Sequence, residues 1–169
     1  MLVYIATFLR AAPAYAAVIF ALTHHYALPA LLLALSVVCD GIFGMLKKRF
    51  ACRDNLMQSH LEGLTDFFAF GVCPAMFCIL AAPGIIVYAA AFVFLCAGIF
   101  RIARFNCEGL RGGYYRGLPI TYNGYIVPCV YFFARGFHLE LYLTGIFSVM
   151  LAIVSVLMVS SAFKVKEVG

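Results

Sequence analysis

The chain has 169 residues, of which 66% are hydrophobic and only 11% carry charge. A water-soluble domain carries about 25% charged and about 45–50% apolar residues, so a soluble enzyme is excluded, no nucleic-acid partner is expected, and an integral membrane protein in one domain (1–169) is implied. Twelve Lys and Arg against seven Asp and Glu leave a formal charge of +5, and on so apolar a chain that charge belongs to loops and helix ends.

A bilayer core takes about 20 apolar residues per helix, and the chain offers six such runs. The first covers residues 2–22 and ends at Thr23-His24-His25. It lacks a basic segment before it and runs past Arg10 into more apolar sequence, so it reads as a membrane helix rather than a cleaved signal. The second covers 27–46 and is closed by Lys47-Lys48-Arg49; the third covers 56–82 and is stopped by Pro83-Gly84. The fourth, fifth and sixth cover 85–104, 118–134 and 141–163. Short gaps between them predict antiparallel neighbours, hence an all-α membrane protein of about six transmembrane helices in one bundle. Trp is absent, so an aromatic belt draws on Tyr and Phe.

Lys and Arg set the orientation. Lys47, Lys48, Arg49 and Arg53 follow the second run; Arg101, Arg104, Arg111 and Arg116 follow the fourth; Lys164 and Lys166 follow the sixth. The opposite side offers only Arg135. With six spans all the basic segments share one face with both termini, and that face is expected in the cytoplasm.

The polar centre of the chain is the stretch from Asp40 to Asp66. A carboxylate at the edge of hydrocarbon is costly unless paired, hydrated or metal-bound, so it marks a functional site by default. Asp40, Gly44 and Lys48 lie four apart, as do Gln58, Glu62 and Asp66, and residues at that spacing share a helix face. Carboxylates from two helices at one depth suit Mg²⁺ or Mn²⁺, hard cations that also bind substrate phosphates. Structural ion pairs with Lys47, Lys48 or Arg101 satisfy the same residues equally well. Arg101 and Arg104, three apart at a helix end, suit phosphate, which Arg grips in bidentate fashion; attraction to anionic headgroups is the plainer reading of the basic face.

Seven cysteines, Cys39, Cys52, Cys73, Cys78, Cys96, Cys107 and Cys129, are scattered with no CxxC pair; they read as small buried hydrophobes, with neither zinc nor disulfides. His24-His25 reads as an interfacial turn, and Gly112-Gly113, with no Lys-Ser after it, as a turn rather than a phosphate loop. Thr121 and Asn123 are polar within the fifth run; they bond across helices or line an acceptor pocket.

The stretch from Asp40 to Asp66 resembles the signature of the CDP-alcohol phosphatidyltransferases, D-x2-D-G-x2-A-R-x8-G-x3-D-x3-D. Ala6-Thr7-Phe8-Leu9-Arg10 with Ala12-Pro13 is similar to that family's first helix. The run from Leu64 through Thr65, Asp66 and Gly71 to Ala75, the segment Phe100-Arg101-Ile102-Ala103-Arg104-Phe105-Asn106, and Gly117-Leu118-Pro119 resemble its phosphatidylserine synthase branch. The signature departs at four places: Phe43 stands for the second Asp, Lys47-Lys48 (or Lys48-Arg49 with one extra residue before it) for Ala-Arg, Gln58 for the later Gly, and Glu62 for the third Asp.

The resemblance implies transfer of a phosphatidyl group from CDP-diacylglycerol to a small alcohol, serine favoured, with release of CMP. It implies Asp40, Glu62 and Asp66 as ligands of one or two Mg²⁺ or Mn²⁺ ions, one ion given Phe43, and Asp66 as general base. It places Gly44, Lys48, Arg49, Arg101 and Arg104 around the nucleotide and phosphates, and Thr121 and Asn123 by the acceptor. A homodimer in a lipid membrane is implied too. Phe43 and Gln58 favour an alternative, a silent relative that binds or scaffolds in the membrane. A transporter-like bundle fits less well, because the polar residues gather on one face rather than at midplane.

Overall fold

The computed structural model describes residues 2–49, 56–109, 114–162 and 164–166. Arg53, Arg111, Gly112-Gly113, Cys52 and Phe163 lie outside the described residues, as do the side chains of Lys48, Arg49, Lys164 and Lys166. The chain runs α1 (Leu2–Leu9), α2 (Ala12–Ala21), α3 (Ala27–Arg49), α4 (Leu56–Phe67), a π turn (Phe68–Val72), α5 (Cys73–Ala81), α6 (Ile85–Glu108), β1 (Tyr114–Arg116), α7 (Asn123–Gly136), α8 (Leu143–Val159) and β2 (Lys164–Lys166). Single 3₁₀ turns precede α7 (Ile120–Tyr122) and α8 (Glu140–Tyr142). The two short strands pair antiparallel, Tyr114 opposite Lys166 and Arg116 opposite Lys164; the other regular elements among the described residues are helical.

Among the described residues, five segments are long and apolar enough to cross a membrane: Tyr4–Ala21, Ala27–Lys47, Leu56–Ala81, Ile85–Glu108 and Glu140–Val159. The fifth expected span falls short. Pro119 is extended, so the segment opens with a 3₁₀ turn, and α7 is 14 residues long. Turn and helix rise together by about 27 Å, against a hydrocarbon core of about 30 Å. The sixth span ends at Val159, before Phe163, because Ser160 adopts an extended conformation.

The bundle is built from small residues inside and large apolar ones outside. Ala14, Ala17 and Ala21 line the buried stripe of α2, which lets it lie close against α3 and α5. Gly124 of α7 does the same against α3: a Cβ there would sit 2.3 Å from Val37 Cγ2. A ring cluster fills the centre, with Phe77 edge-on to Tyr131 at 5.4 Å and to Tyr26 at 6.2 Å. Leu31, Phe92, Val93, Ile153 and Val156 point outward, all more than half exposed. Such a surface is unsuited to water and suited to lipid. The described cysteines are free thiols; Cys73 and Cys78 are buried as expected and Cys39 is half-buried, but Cys96, Cys107 and Cys129 are exposed, because they lie on the outward faces of their helices.

The helix from Leu56 to Ala81 is interrupted by the π turn, and Pro74 explains it. Proline has no N–H, and its ring crowds the carbonyl four residues back, here that of Phe70. The wider turn relieves the clash, and Asn123 Nδ2 donates to Phe70 O at 3.1 Å. The sequence feature that frees a carbonyl on one helix is thus answered by an amide on another.

Candidate active site

Three helices converge on Arg10. The residue sits at the break between α1 and α2, with Asp40 from α3 on one side and Glu62 and Asp66 from α4 on the other. Its Nη1 donates to Asp40 Oδ1. Its Nη2 lies 2.7 Å from Asp66 Oδ1 and donates to Glu62 O at 3.1 Å. The Arg10 side chain is only 13% exposed, and those of Asp40 and Asp66 are 20% and 26% exposed. These charges therefore interact where water screens them poorly.

Glu62 has its own partners. Lys47 Nζ lies 2.7 Å from its Oε1, and Gln58 Nε2 donates to the same atom at 2.8 Å. Gln58 is buried and also donates to Thr7 Oγ1 at 2.9 Å. Thr7 and Arg10 are three apart, so one face of α1 is fastened to α4 at two levels. Gln58, which the signature comparison marks as bulk in place of Gly, is an anchor for the first helix.

The expected metal ligands Asp40, Glu62 and Asp66 are thus ion-paired to protein cations. Among the described residues no three His, Cys, Asp or Glu side chains group as a metal shell. The physical reason is Arg10: a guanidinium wedged between two carboxylates keeps their oxygens from closing to the roughly 2.0–2.1 Å that Mg²⁺ requires. As arranged, the donor set does not fit a divalent ion.

The basic residues divide. Arg101 is buried on α6, its guanidinium 5.4 Å from the Phe105 ring centre, and acts through space on Asp66. Arg104 is turned to architecture: its guanidinium donates to the carbonyls of Val159 at 2.8 Å, Met158 at 3.0 Å and Arg116 at 3.0 Å. These groups include the end of α8, where carbonyls lack helical partners. Gly117 (φ +80°) makes that approach possible, since a Cβ there would lie 2.3 Å from Met158 O. Gly44 has open space around it, with nothing within 4 Å of an added Cβ.

Asn123 is buried and spends its amide on Phe70 O and, at 3.8 Å, on Met158 Sδ, so it fulfils the cross-helix reading. Thr121 is half-buried one 3₁₀ turn earlier. Phe70 lies one helical turn beyond Asp66, about 6 Å along the axis, so Asn123 stands deeper than the acids rather than among them.

Arg10 is the residue the sequence reading did not assign a role. The signal was present: an arginine inside a run otherwise free of charge is a functional hypothesis by default.

The class this defines is an all-α membrane bundle with a paired acid–arginine cluster at one pole. No family model matches the chain. Over 135 residues, 78% of this chain, it is 33% identical to an archaetidylserine synthase of Methanothermobacter thermautotrophicus. The chain spans about half (55%) of that protein's length.

Proposed function

We propose that the chain carries out lipid headgroup transfer: a lipid phosphatidyl group passes from a CDP-activated donor to a hydroxyl acceptor, and CMP leaves. The observation that carries this reading is the meeting of Asp40 and Asp66, from two helices, at the polar pole of an apolar bundle. The similarity to archaetidylserine synthase supports it and favours serine as acceptor. The basic segments that follow α3, α6 and α8 favour a cytoplasmic site, where a water-soluble nucleotide and acceptor meet a donor anchored by its tails.

Asp66 is the base. Its carboxylate accepts the acceptor's hydroxyl proton while the oxygen forms a bond to the lipid-bearing phosphorus. The bond from that phosphorus to the CMP oxygen breaks, and CMP departs with the electron pair. Arg101, buried beside Asp66, supplies positive charge for the phosphates, and Arg104 holds the end of α8 beside it. Proton transfer by a positioned group contributes about 10²–10⁴-fold. No step is assigned to a metal, because the acids as arranged are taken by Arg10 and Lys47.

A second reading, a relative that has kept the bundle and lost transfer, is favoured by those same ion pairs together with Phe43 and Gln58. One assay separates the two. Purified protein in detergent is given CDP-diacylglycerol and serine, glycerol phosphate or inositol, with Mn²⁺, Mg²⁺ or EDTA, and CMP is measured beside Asp66→Asn. Asp66-dependent release establishes transfer, and the productive alcohol names the acceptor. No release, while an active synthase works in the same detergent, leaves the silent relative.

A further inference from the structure

We propose that Arg10 is the resident cation of this site, standing between Asp40 and Asp66 where the signature resemblance puts a divalent metal, and holding Asp66 in position from there. The inference deepens the transfer reading and rests on it for the role of Asp66, but its test uses metal alone.

A guanidinium keeps its charge at any working pH and presents five donors in a rigid fork. Here one arm reaches Asp40, and the other reaches Asp66 at 2.7 Å and the Glu62 carbonyl at 3.1 Å. Three partners on two helices fix the fork in one orientation. A lysine would supply the charge at a single point on a flexible stem, without the rigid fork that sets the two carboxylates on separate arms.

The charges also balance. Among the described residues, the three carboxylates Asp40, Glu62 and Asp66 are matched by three cations, Arg10 and Lys47 through ion pairs and Arg101 through its field at Asp66. A charge-balanced group is tolerated at the edge of hydrocarbon, whereas an unbalanced one needs a counter-ion from elsewhere. Phe43 belongs to the same account. Where the signature has an acid, this chain has a ring, which removes one negative charge from the stretch and so matches a site balanced by side chains.

Two consequences follow. A divalent ion that enters must displace Arg10, so its apparent affinity is reduced by the fraction of time Arg10 is bound. Removing Arg10 leaves Asp40 and Asp66 facing each other with one counter-charge too few, and a metal then supplies it.

The test is a Mn²⁺ titration of the full chain in detergent, followed by loss of the free Mn²⁺ electron paramagnetic resonance signal and by thermal unfolding. The proteins are wild type, Arg10→Ala, Arg10→Lys and the double variant Arg10→Ala/Asp40→Asn. Arg10→Ala is expected to unfold earlier than wild type without metal and to recover with Mn²⁺. Its half-saturation is expected at least about tenfold below that of wild type, as release from a competing partner requires. The double variant, having lost the charge conflict, is expected to be more stable than Arg10→Ala without metal and to respond less to Mn²⁺. Arg10→Lys is expected between wild type and Arg10→Ala in Mn²⁺ affinity. Wild type binding Mn²⁺ as tightly as Arg10→Ala would overturn the proposal. So would an Arg10→Ala protein that matches wild type in stability and takes up no Mn²⁺. Should Arg10→Ala not fold, a folded double variant supports the proposal and an unfolded one overturns it. None of these measurements requires transfer, so a failure here is distinct from a failure to release CMP.

Discussion

Arg10 and Arg104 stand in two regions of the same polar pole, and each is engaged by three oxygens. Those of Arg104 are all backbone carbonyls, of Met158, Val159 and Arg116. Those of Arg10 are two carboxylates and one carbonyl. A carbonyl at a helix end is neutral, so a divalent ion gains less there than at a carboxylate and competes poorly with the guanidinium. A carboxylate pair is charged, and any cation of suitable reach competes for it. The difference separates an arginine that builds the pole from one that can be exchanged within it, although both are arginines at the end of apolar helices.

The sharpest way to break the comparison is at the acids. Asp66→Asn keeps the shape and removes the charge; CMP release is expected to fall by about 100-fold or more, while Arg10 keeps its pairing with Asp40, so the protein still folds with a lowered midpoint of thermal unfolding. A variant with unchanged release would take Asp66 out of the base role and leave Arg10 a purely structural partner. Next in size is Gly117→Ala, on the Arg104 side. A Cβ 2.3 Å from Met158 O at φ +80° forces both strain and displacement of the carbonyl that Arg104 holds, at a cost of about 1–3 kcal/mol for the backbone alone. Thermal unfolding in detergent reads it, and the value should be indifferent to Mn²⁺.

Arg104→Ala removes charge-assisted bonds to three carbonyls, the one to Val159 exposed and those to Met158 and Arg116 part-buried. A loss of about 1.5–3 kcal/mol is expected, again with no Mn²⁺ response; a Mn²⁺-dependent recovery would erase the distinction from Arg10. Gly124→Ala probes the packing beneath both sites. Its methyl group meets Val37 at 2.3 Å and Phe70 at 3.1 Å, and overpacking of this kind costs about 1–3 kcal/mol. Because Phe70 is on the turn after Asp66, this variant is expected to lower CMP release as well as stability. The smallest effect is expected from Thr7→Val, which removes one hydrogen bond from Gln58 and should cost about 1 kcal/mol. It loosens the seat of α1 without touching the Arg10 fork.

The sequence by itself determined the solvent and most of the helices. So high an apolar fraction has no alternative to a membrane, and in lipid a backbone must bond within its own helix, so runs of apolar residues translate directly into helices. Five of the six expected spans are present for that reason. The shortened α7 follows from Pro119 and the 3₁₀ turn, a local matter that apolarity does not register. The acids were legible too, because charge inside an apolar run stands out. What they pair with was not. The spacing of Asp40, Glu62 and Asp66 fits a metal and fits ion pairs alike, and the choice lies with Arg10, 30 residues from Asp40 in the chain. The pairing of Asn123 with the carbonyl freed by Pro74, and of Arg104 with the end of α8, are of the same kind. A helix is written in its own residues, since its hydrogen bonds close within four positions; a partner on another helix is fixed only when packing brings the two together.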